Sequence, residues 1–307
     1  MSDFAAELDV PDVPPSPSEE ESAALRAMKT LLADAGAAEK AGAPAEDPMY
    51  GDEKALMRYL RARKGDPEAA AAMMRATAAW RREFGWEAIH RMASKGVALD
   101  GSEGDSAIDA TVRAENVTGK MYVRGNDRRG HAALYMRSRL ENTFNHDGNL
   151  AHLVYNMERA ALTNDAAGTG VEKFALVIDF NGFSLRKQPP MATSLATLSI
   201  LQNHYPERLG VAYLVDAPWA FNAAYSAIYP FIDPVTRQKI QFVRGGDEAY
   251  RRAELSKHFD PAVLQSDVYG EASSEFDTKV YLQGRDGEDY NATQGRVAAP
   301  VPAQTTA

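Results

Sequence analysis

Hydrophobic and polar positions along the chain fall into two regimes. Up to about residue 90 the apolar residues recur at helical spacing. Ser22 through Ala33 reads as a short helix that stops at Gly36, and Ala37 to Asp47 is an Ala, Gly and Pro linker. Lys54 to Arg63 places Leu56, Tyr59 and Leu60 on one face. Pro67 then opens an Ala-rich helix that ends at Gly85 and carries Met73, Ala76, Trp80 and Phe84 on one stripe. Together these predict a small helical subdomain over residues 22–90.

Beyond a Gly-, Ser- and Asp-rich stretch, read as a connecting loop over 91–116, strands and helices alternate. Met121 to Val123 and Ala132 to Met136 are predicted strands around the turn Asn126-Asp-Arg-Arg-Gly130. A helix over Leu150–Leu162 precedes a strand over Phe174–Phe180. A helix over Pro189–Gln202 precedes a strand over Leu209–Val215, and a helix over Phe221–Tyr229 precedes a strand over Lys239–Val243. Continuous apolar strands alternating with helices predict an α/β fold, a sheet covered by helices, over residues 117–270.

Composition adds exclusions. The 307 residues include no cysteine, so disulfides, thiolate metal sites and a cysteine nucleophile are excluded. The net charge of -9 is concentrated at the ends. Asp3, Glu7, Asp9, Asp12, Glu19, Glu20 and Glu21 all precede the first base, Arg26. From residue 271 on, six acids face Lys279, Arg285 and Arg296. With their prolines and few large apolar residues, 1–21 and 271–307 are expected to be largely disordered tails. The body between them is nearly neutral. The start lacks the basic and apolar regions of a signal peptide, and no apolar run is long enough for a membrane span, which predicts a cytoplasmic protein with at most peripheral membrane contact.

Candidate chemistry is sparse. No dinucleotide fingerprint, phosphate-binding loop, zinc-protease helix or nucleophile elbow is present. Gly168-Thr-Gly170 precedes a strand and reads as a loop. The histidines form no helical i, i+4 pair, so no metal site is expected. Asp179 and Asp216 each end a strand; capping of the following turn is the favoured role, with a pair of acid/base carboxylates as the sharper alternative. Trp219 to Pro234 stands out physically, being an aromatic helix between proline breaks and hence a candidate lid.

Tyr205-Pro-Glu-Arg-Leu-Gly210 and Asp233-Pro-Val-Thr-Arg-Gln-Lys239 resemble characteristic strings of the CRAL-TRIO lipid-binding family, in its phosphatidylinositol transfer protein branch. Leu60-Arg-Ala-Arg-Lys64 and Trp80-Arg-Arg-Glu-Phe-Gly85 are similar to that family's helical N-terminal region. The resemblance spans about residues 24–270 and implies a sheet floor, covering helices and a mobile gate helix around one lipid. It implies headgroup contacts from Arg63, Glu207, Thr236 and Lys239, and a gate carrying Trp219, Phe221, Tyr225, Tyr229 and Phe231. It further implies a lining that includes Phe174, Leu176, Val211 and Tyr213. Hydroxyl and cationic donors suit a phosphodiester, and a carboxylate suits inositol hydroxyls.

There are departures from the pattern. Phe174 and Leu176 stand where phosphatidylcholine-binding members carry Ser and Thr, Thr163 stands for a cage tyrosine, and Tyr269-Gly-Glu271 replaces a closing Gly-Gly. Phosphatidylcholine is therefore disfavoured as a second ligand. On the resemblance, the expected ligand is phosphatidylinositol, with no cofactor, no enzyme activity and no nucleic-acid partner. The expected partners of a monomer are a phosphoinositide-containing Golgi, endosomal or plasma membrane surface and, in a presenting role, a lipid kinase. A tocopherol, retinoid, sterol or fatty acid is the alternative cargo.

Overall fold

The computed structural model describes residues 11–44, 46–96, 107–219 and 221–284. Its first helix, α1 (Glu19–Leu32), begins three residues before the expected start because Ser18 and Glu21 form a reciprocal capping box. The expected linker contains a short helix, α2 (Ala35–Lys40), capped by Asp34. Asp52 and Asp66 cap α3 (Glu53–Ala62) and α4 (Pro67–Phe84), and left-handed Gly85 ends α4. Met28, Leu32, Leu56, Leu60 and Met74 form an apolar cluster shared by α1, α3 and α4.

The stretch 91–116 is not simply a loop. Helix α5 (Trp86–Lys95) buries Ile89 and Met92, and α6 (Ala107–Asn116) buries Val112, while 97–106 lies outside the described residues.

The second core surrounds a five-stranded sheet in the order β1 (Met121–Asn126), β2 (Ala132–Arg137), β3 (Phe174–Asp179), β4 (Leu209–Val215) and β5 (Ile240–Val243). The β1–β2 pair is antiparallel and the rest are parallel, so each later connection must cross the sheet. The crossovers carry α7 (His146–Ala167), α8 (Met191–His204), α9 (Phe221–Ile228) and α10 (Pro234–Gln238). Helix α7 is longer than periodicity suggested because it is buried around much of its circumference, including Asn156 and Glu158.

The two cores meet at the end of α8. Tyr59 Oη donates to the His204 carbonyl at 3.2 Å, Thr77 Oγ1 donates to the Asn203 carbonyl at 3.2 Å, and the Trp80 and His204 rings stack at 4.1 Å. Arg58 pairs with Glu172 across the same junction.

Both expected tails are corrected where they are described. Asp12 is bonded to His131 and Lys173, and Glu21 to Arg61, so residues 11–21 are tied to the body by ion pairs. Helix α11 (Glu248–Ser256) leads to a segment in which Gln265 bridges Ala272, and α12 (Thr278–Leu282) then seats Tyr281 in full burial. Tyr281 Oη accepts from the Val123 amide at 2.9 Å and donates to Asn156 Oδ1 at 2.7 Å. A few apolar anchors, Phe276, Tyr281 and Leu282, suffice to order a polar segment. Residues 1–10 and 285–307 lie outside the described residues.

Candidate functional site

In a sheet, residues paired across strands share a face. One face carries the rows Leu134–Leu176–Ala212–Ile240 and Met136–Ile178–Leu214–Phe242, with Phe174 at the strand start. The other carries Ala133–Ala175–Val211, then Tyr135–Val177–Tyr213–Gln241. The second face is closed: Tyr213 packs on His258 and Phe259 at 5.0 and 5.6 Å, and Tyr122, beside Tyr135, on Phe276 at 5.5 Å. The first face is not. Met136, Ile178, Ile240 and Phe242 remain only half-buried although apolar.

The register corrects the expected lining. Phe174 and Leu176 belong to the half-open face, whereas Val211 and Tyr213 point to the closed one. A central parallel strand is apolar on both sides, so periodicity alone could not separate the two pairs.

Over the half-open face lies α9. Phe221 packs on Phe180 at 4.4 Å and on Tyr225 at 5.9 Å, and Tyr225 meets Phe242 edge-on at 5.5 Å. None of the described side chains of this apolar helix is buried, an arrangement suited to a lid rather than to a core helix. Trp219, 84% exposed, precedes it, and Tyr229 and Phe231, both exposed, end it in a 3-10 turn. Arg237 lies over the Tyr229 ring at 4.2 Å.

The turn after α9 is clamped by a residue that the sequence did not single out. Gln202 Nε2 donates to the Phe231 carbonyl at 3.2 Å, and its Oε1 accepts from the Asp233 amide at 2.8 Å. Its signal is weak: it ends the predicted helix over Pro189–Gln202, but no pattern marks a glutamine as a backbone clamp.

At the N-terminal edge of β4 and β5 the polar residues gather. Glu207 adopts φ of +58°, a left-handed conformation uncommon for a side chain of this size. Its half-buried carboxylate has no hydrogen-bond or ion-pair partner among the described residues. Lys239 caps α10 and donates from Nζ to the Leu209 carbonyl at 2.9 Å. Burial pushes its ammonium below the usual lysine range, and the Glu207 charge opposes that shift, which places the two groups in one another's field. Thr236 accepts the Lys239 amide on its carbonyl at 3.1 Å, and its half-buried hydroxyl has no partner among the described residues.

Arg63 stands apart from these three. Among the described residues its guanidinium bonds only the adjacent Ala62 carbonyl, at 3.2 Å. The arginine in the field of Glu207 is Arg61, held above its ordinary value first by its bond to Glu21, with Glu172 and Glu207 adding to it. The structure thus brings Glu207, Thr236 and Lys239 to one edge and joins Arg63 to none of them.

Asp179 and Asp216 are separately engaged. Asp179 pairs with Arg139 and accepts the Asn181 amide at 2.8 Å, and burial raises its pKa. Asp216 accepts from Tyr269 Oη and pairs with Arg251 at 3.2 Å. Each is a strand-end anchor.

A half-open apolar sheet face, an overlying aromatic helix and a polar edge lie within a stretch of chain that matches a family model, the CRAL/TRIO domain, over residues 116–270. The chain belongs to the CRAL/TRIO domain family. Among curated relatives, a CRAL-TRIO domain-containing protein of Schizosaccharomyces pombe is 35% identical over 204 residues, 66% of this chain and 18% of that one. Phosphatidylinositol transfer protein PDR17 of Saccharomyces cerevisiae is 32% identical over 232 residues, 74% of this chain and 59% of that one. This CRAL/TRIO chain therefore spans only part of the length of both. The crystal structure of Sfh5 shares the fold, with a TM-score of 0.52 at 18% identity, covering 75% of this chain and 82% of that one. Among the described residues, no helix is long and apolar enough to cross a membrane.

Proposed function

We propose that the chain is a lipid carrier that holds one phosphatidylinositol and exchanges it with a membrane through the segment Trp219–Pro234. The observation that carries this is the two-faced sheet: one face is closed, while Ile178 and Phe242 on the other stay half-exposed beneath a helix with no buried described side chain. Two acyl chains of about 30 CH₂ groups would cost on the order of 25 kcal/mol to bring into water, at about 0.8 kcal/mol each. A carrier must therefore match the bilayer in apolarity. Since lipid tails are about as apolar as leucine, transfer of the tails is then nearly neutral, and selectivity falls to the headgroup.

The headgroup assignment rests on Glu207, Thr236 and Lys239. An unpartnered carboxylate accepts from inositol hydroxyls, while a free hydroxyl and an ammonium donate to the phosphodiester. Phe174 and Leu176 offer no hydrogen bonds to a phosphocholine, and burying one against them would be costly. The exchange involves no covalent chemistry and takes place at a cytoplasmic membrane face. The name of the Saccharomyces cerevisiae relative supports this choice of lipid.

Mass spectrometry of lipid that co-purifies with the chain, followed by transfer of labelled phosphatidylinositol between vesicles, tests the proposal. The expected cargo is phosphatidylinositol. A sterol, retinoid or tocopherol in its place would transfer the role to another hydrophobic ligand, and unchanged transfer by the Glu207→Ala, Lys239→Ala double variant would sink the headgroup assignment.

A further inference from the structure

Along the N-terminal edge of the sheet, a basic residue stands at each of four successive strand starts: His131 before β2, Lys173 before β3, Arg208 before β4 and Lys239 before β5. The carboxylate of Asp12 sits among the first two. Its Oδ2 is 3.0 Å from His131 Nε2 and 3.0 Å from Lys173 Nζ, its Oδ1 is 3.4 Å from Arg129 Nη2, and its amide donates to the Arg129 carbonyl at 2.9 Å. His131 is 1% exposed, fixed on its other nitrogen by Asp127 at 2.8 Å. Its ring is seated where only glycine leaves room, since a Cβ on Gly210 would stand 2.6 Å from it.

Asp12 is a sparing match for this setting. Without it, the Lys173 ammonium, the Arg129 guanidinium and one nitrogen of the His131 ring lose the carboxylate they share. Two cations and a ring donor suit a phosphate monoester, which carries about -1.5 to -2 near neutral pH. The segment bearing Asp12 is otherwise loosely attached. Pro11, Val13 and Pro15 to Ser18 are exposed; Val13 lies beside Gly170, the Pro15 carbonyl accepts from Arg61 at 2.9 Å, and Glu21 pairs with the same arginine where α1 begins. Such a strap belongs to the low-stability end of a structure and can lift without disturbing the core. Lys239 senses the charges of both Lys173 and Asp12, so the cluster adjoins the headgroup edge.

We propose that His131, Lys173 and Arg129 form a phosphate-monoester subsite beside Lys239, which Asp12 fills in cis until a phosphorylated ligand displaces it. The identification of that ligand as a phosphorylated inositol headgroup rests on the lipid reading above; the anion subsite does not.

The test is calorimetric titration of the full chain and its variants at constant ionic strength with three probes: dioctanoyl phosphatidylinositol 4-phosphate, inositol 1,4-bisphosphate and dioctanoyl phosphatidylinositol. If the strap is closed in about nine molecules of ten, Asp12→Asn tightens binding of phosphorylated probes about tenfold and leaves phosphatidylinositol within about twofold. Adding Lys173→Gln removes the gain. Gain with both phosphorylated probes marks recognition of phosphate itself, and gain with the lipid alone marks a headgroup.

Unchanged affinity for both phosphorylated probes, or a gain that survives Lys173→Gln, overturns the subsite. Failure of phosphatidylinositol to bind any variant overturns the lipid reading instead, and inositol bisphosphate still decides the subsite. Melting scans accompany each titration, with Asp12→Ser replacing Asp12→Asn should the latter melt early.

Discussion

Gln202 and Asp233 are joined by a 2.8 Å hydrogen bond from the Asp233 amide to the Gln202 side chain, which also reaches the Phe231 carbonyl at 3.2 Å. One side chain of α8 thus pins the backbone on both sides of Ile232. It connects the helix ending near His204 to the exit of the proposed gate, where Tyr229, Phe231 and Val235 are exposed. A clamp made of two neutral, partly exposed hydrogen bonds, each worth about 1 kcal/mol, holds the turn yet yields readily.

Gln202→Leu should loosen that turn. Amide exchange at Ile232 and Asp233 is expected to rise about tenfold while exchange in β3 and β4 stays unchanged, and lipid transfer between vesicles should change by at least about threefold. Unaltered exchange at these two amides would show that the clamp contributes nothing to gate closure.

At the polar edge, Lys239→Ala and Glu207→Ala should each reduce phosphatidylinositol transfer by about tenfold or more, and the pair should be less than additive because the two charges act in one field. Arg63→Ala should matter less than either, because among the described residues its guanidinium reaches only its own neighbour's carbonyl. An Arg63 effect as large as that of Lys239 would require the segment after α3 to rearrange when lipid binds.

How far this site was legible differs from residue to residue. The strands and α9 could be read because buried parallel strands are unbroken apolar runs and because Pro218 and Pro230 bracket the aromatic helix. The faces could not. Val211 and Tyr213 look as apolar as Leu176, and only the pairing of Tyr213 with Val177 places them opposite. The 11–21 segment has the composition of a tail, and composition does not see that one aspartate meets three cations. Ser18 and Glu21 were a readable capping box that marked the true start of α1.

Tyr281 tests whether the C-terminal segment belongs to the fold. Tyr281→Phe keeps the ring but leaves the buried Val123 amide and Asn156 Oδ1 without their partner. The expected cost is about 1–3 kcal/mol, or a melting temperature lower by about 2–4 °C per kcal/mol for a chain of this size. Removal of everything beyond residue 270 should cost more, since it also strips Phe276 from Tyr122. A truncated chain that melts like the intact one would show that the segment adds nothing to stability.

The strap should respond to pH in a definite sense. Burial alone would lower the pKa of His131, but its bonds to Asp12 and Asp127 outweigh that and hold it above its ordinary 6.5. The bond to His131, aided by Lys173 and Arg129, holds the carboxyl of Asp12 well below its ordinary 3.8. A raised histidine stabilises the folded state fully below its unfolded value and loses that contribution as pH climbs through the folded one. A depressed carboxylate contributes above its unfolded value and is lost as pH falls through the folded one. The anchor is therefore firmest between about pH 4 and 6.5 and weakens as His131 deprotonates. Lys173 and Arg129 are the other cations facing Asp12, and His258, whose pKa burial lowers despite the Asp127 charge, is the other histidine near the turn. Protection of the Asp12 amide, which donates to the Arg129 carbonyl, should be greatest near pH 5.5 after correction for intrinsic exchange and fall as pH rises past the His131 titration. Asp12→Asn should flatten that dependence, whereas a profile unchanged by the substitution would exclude the His131–Asp12 pair as its origin.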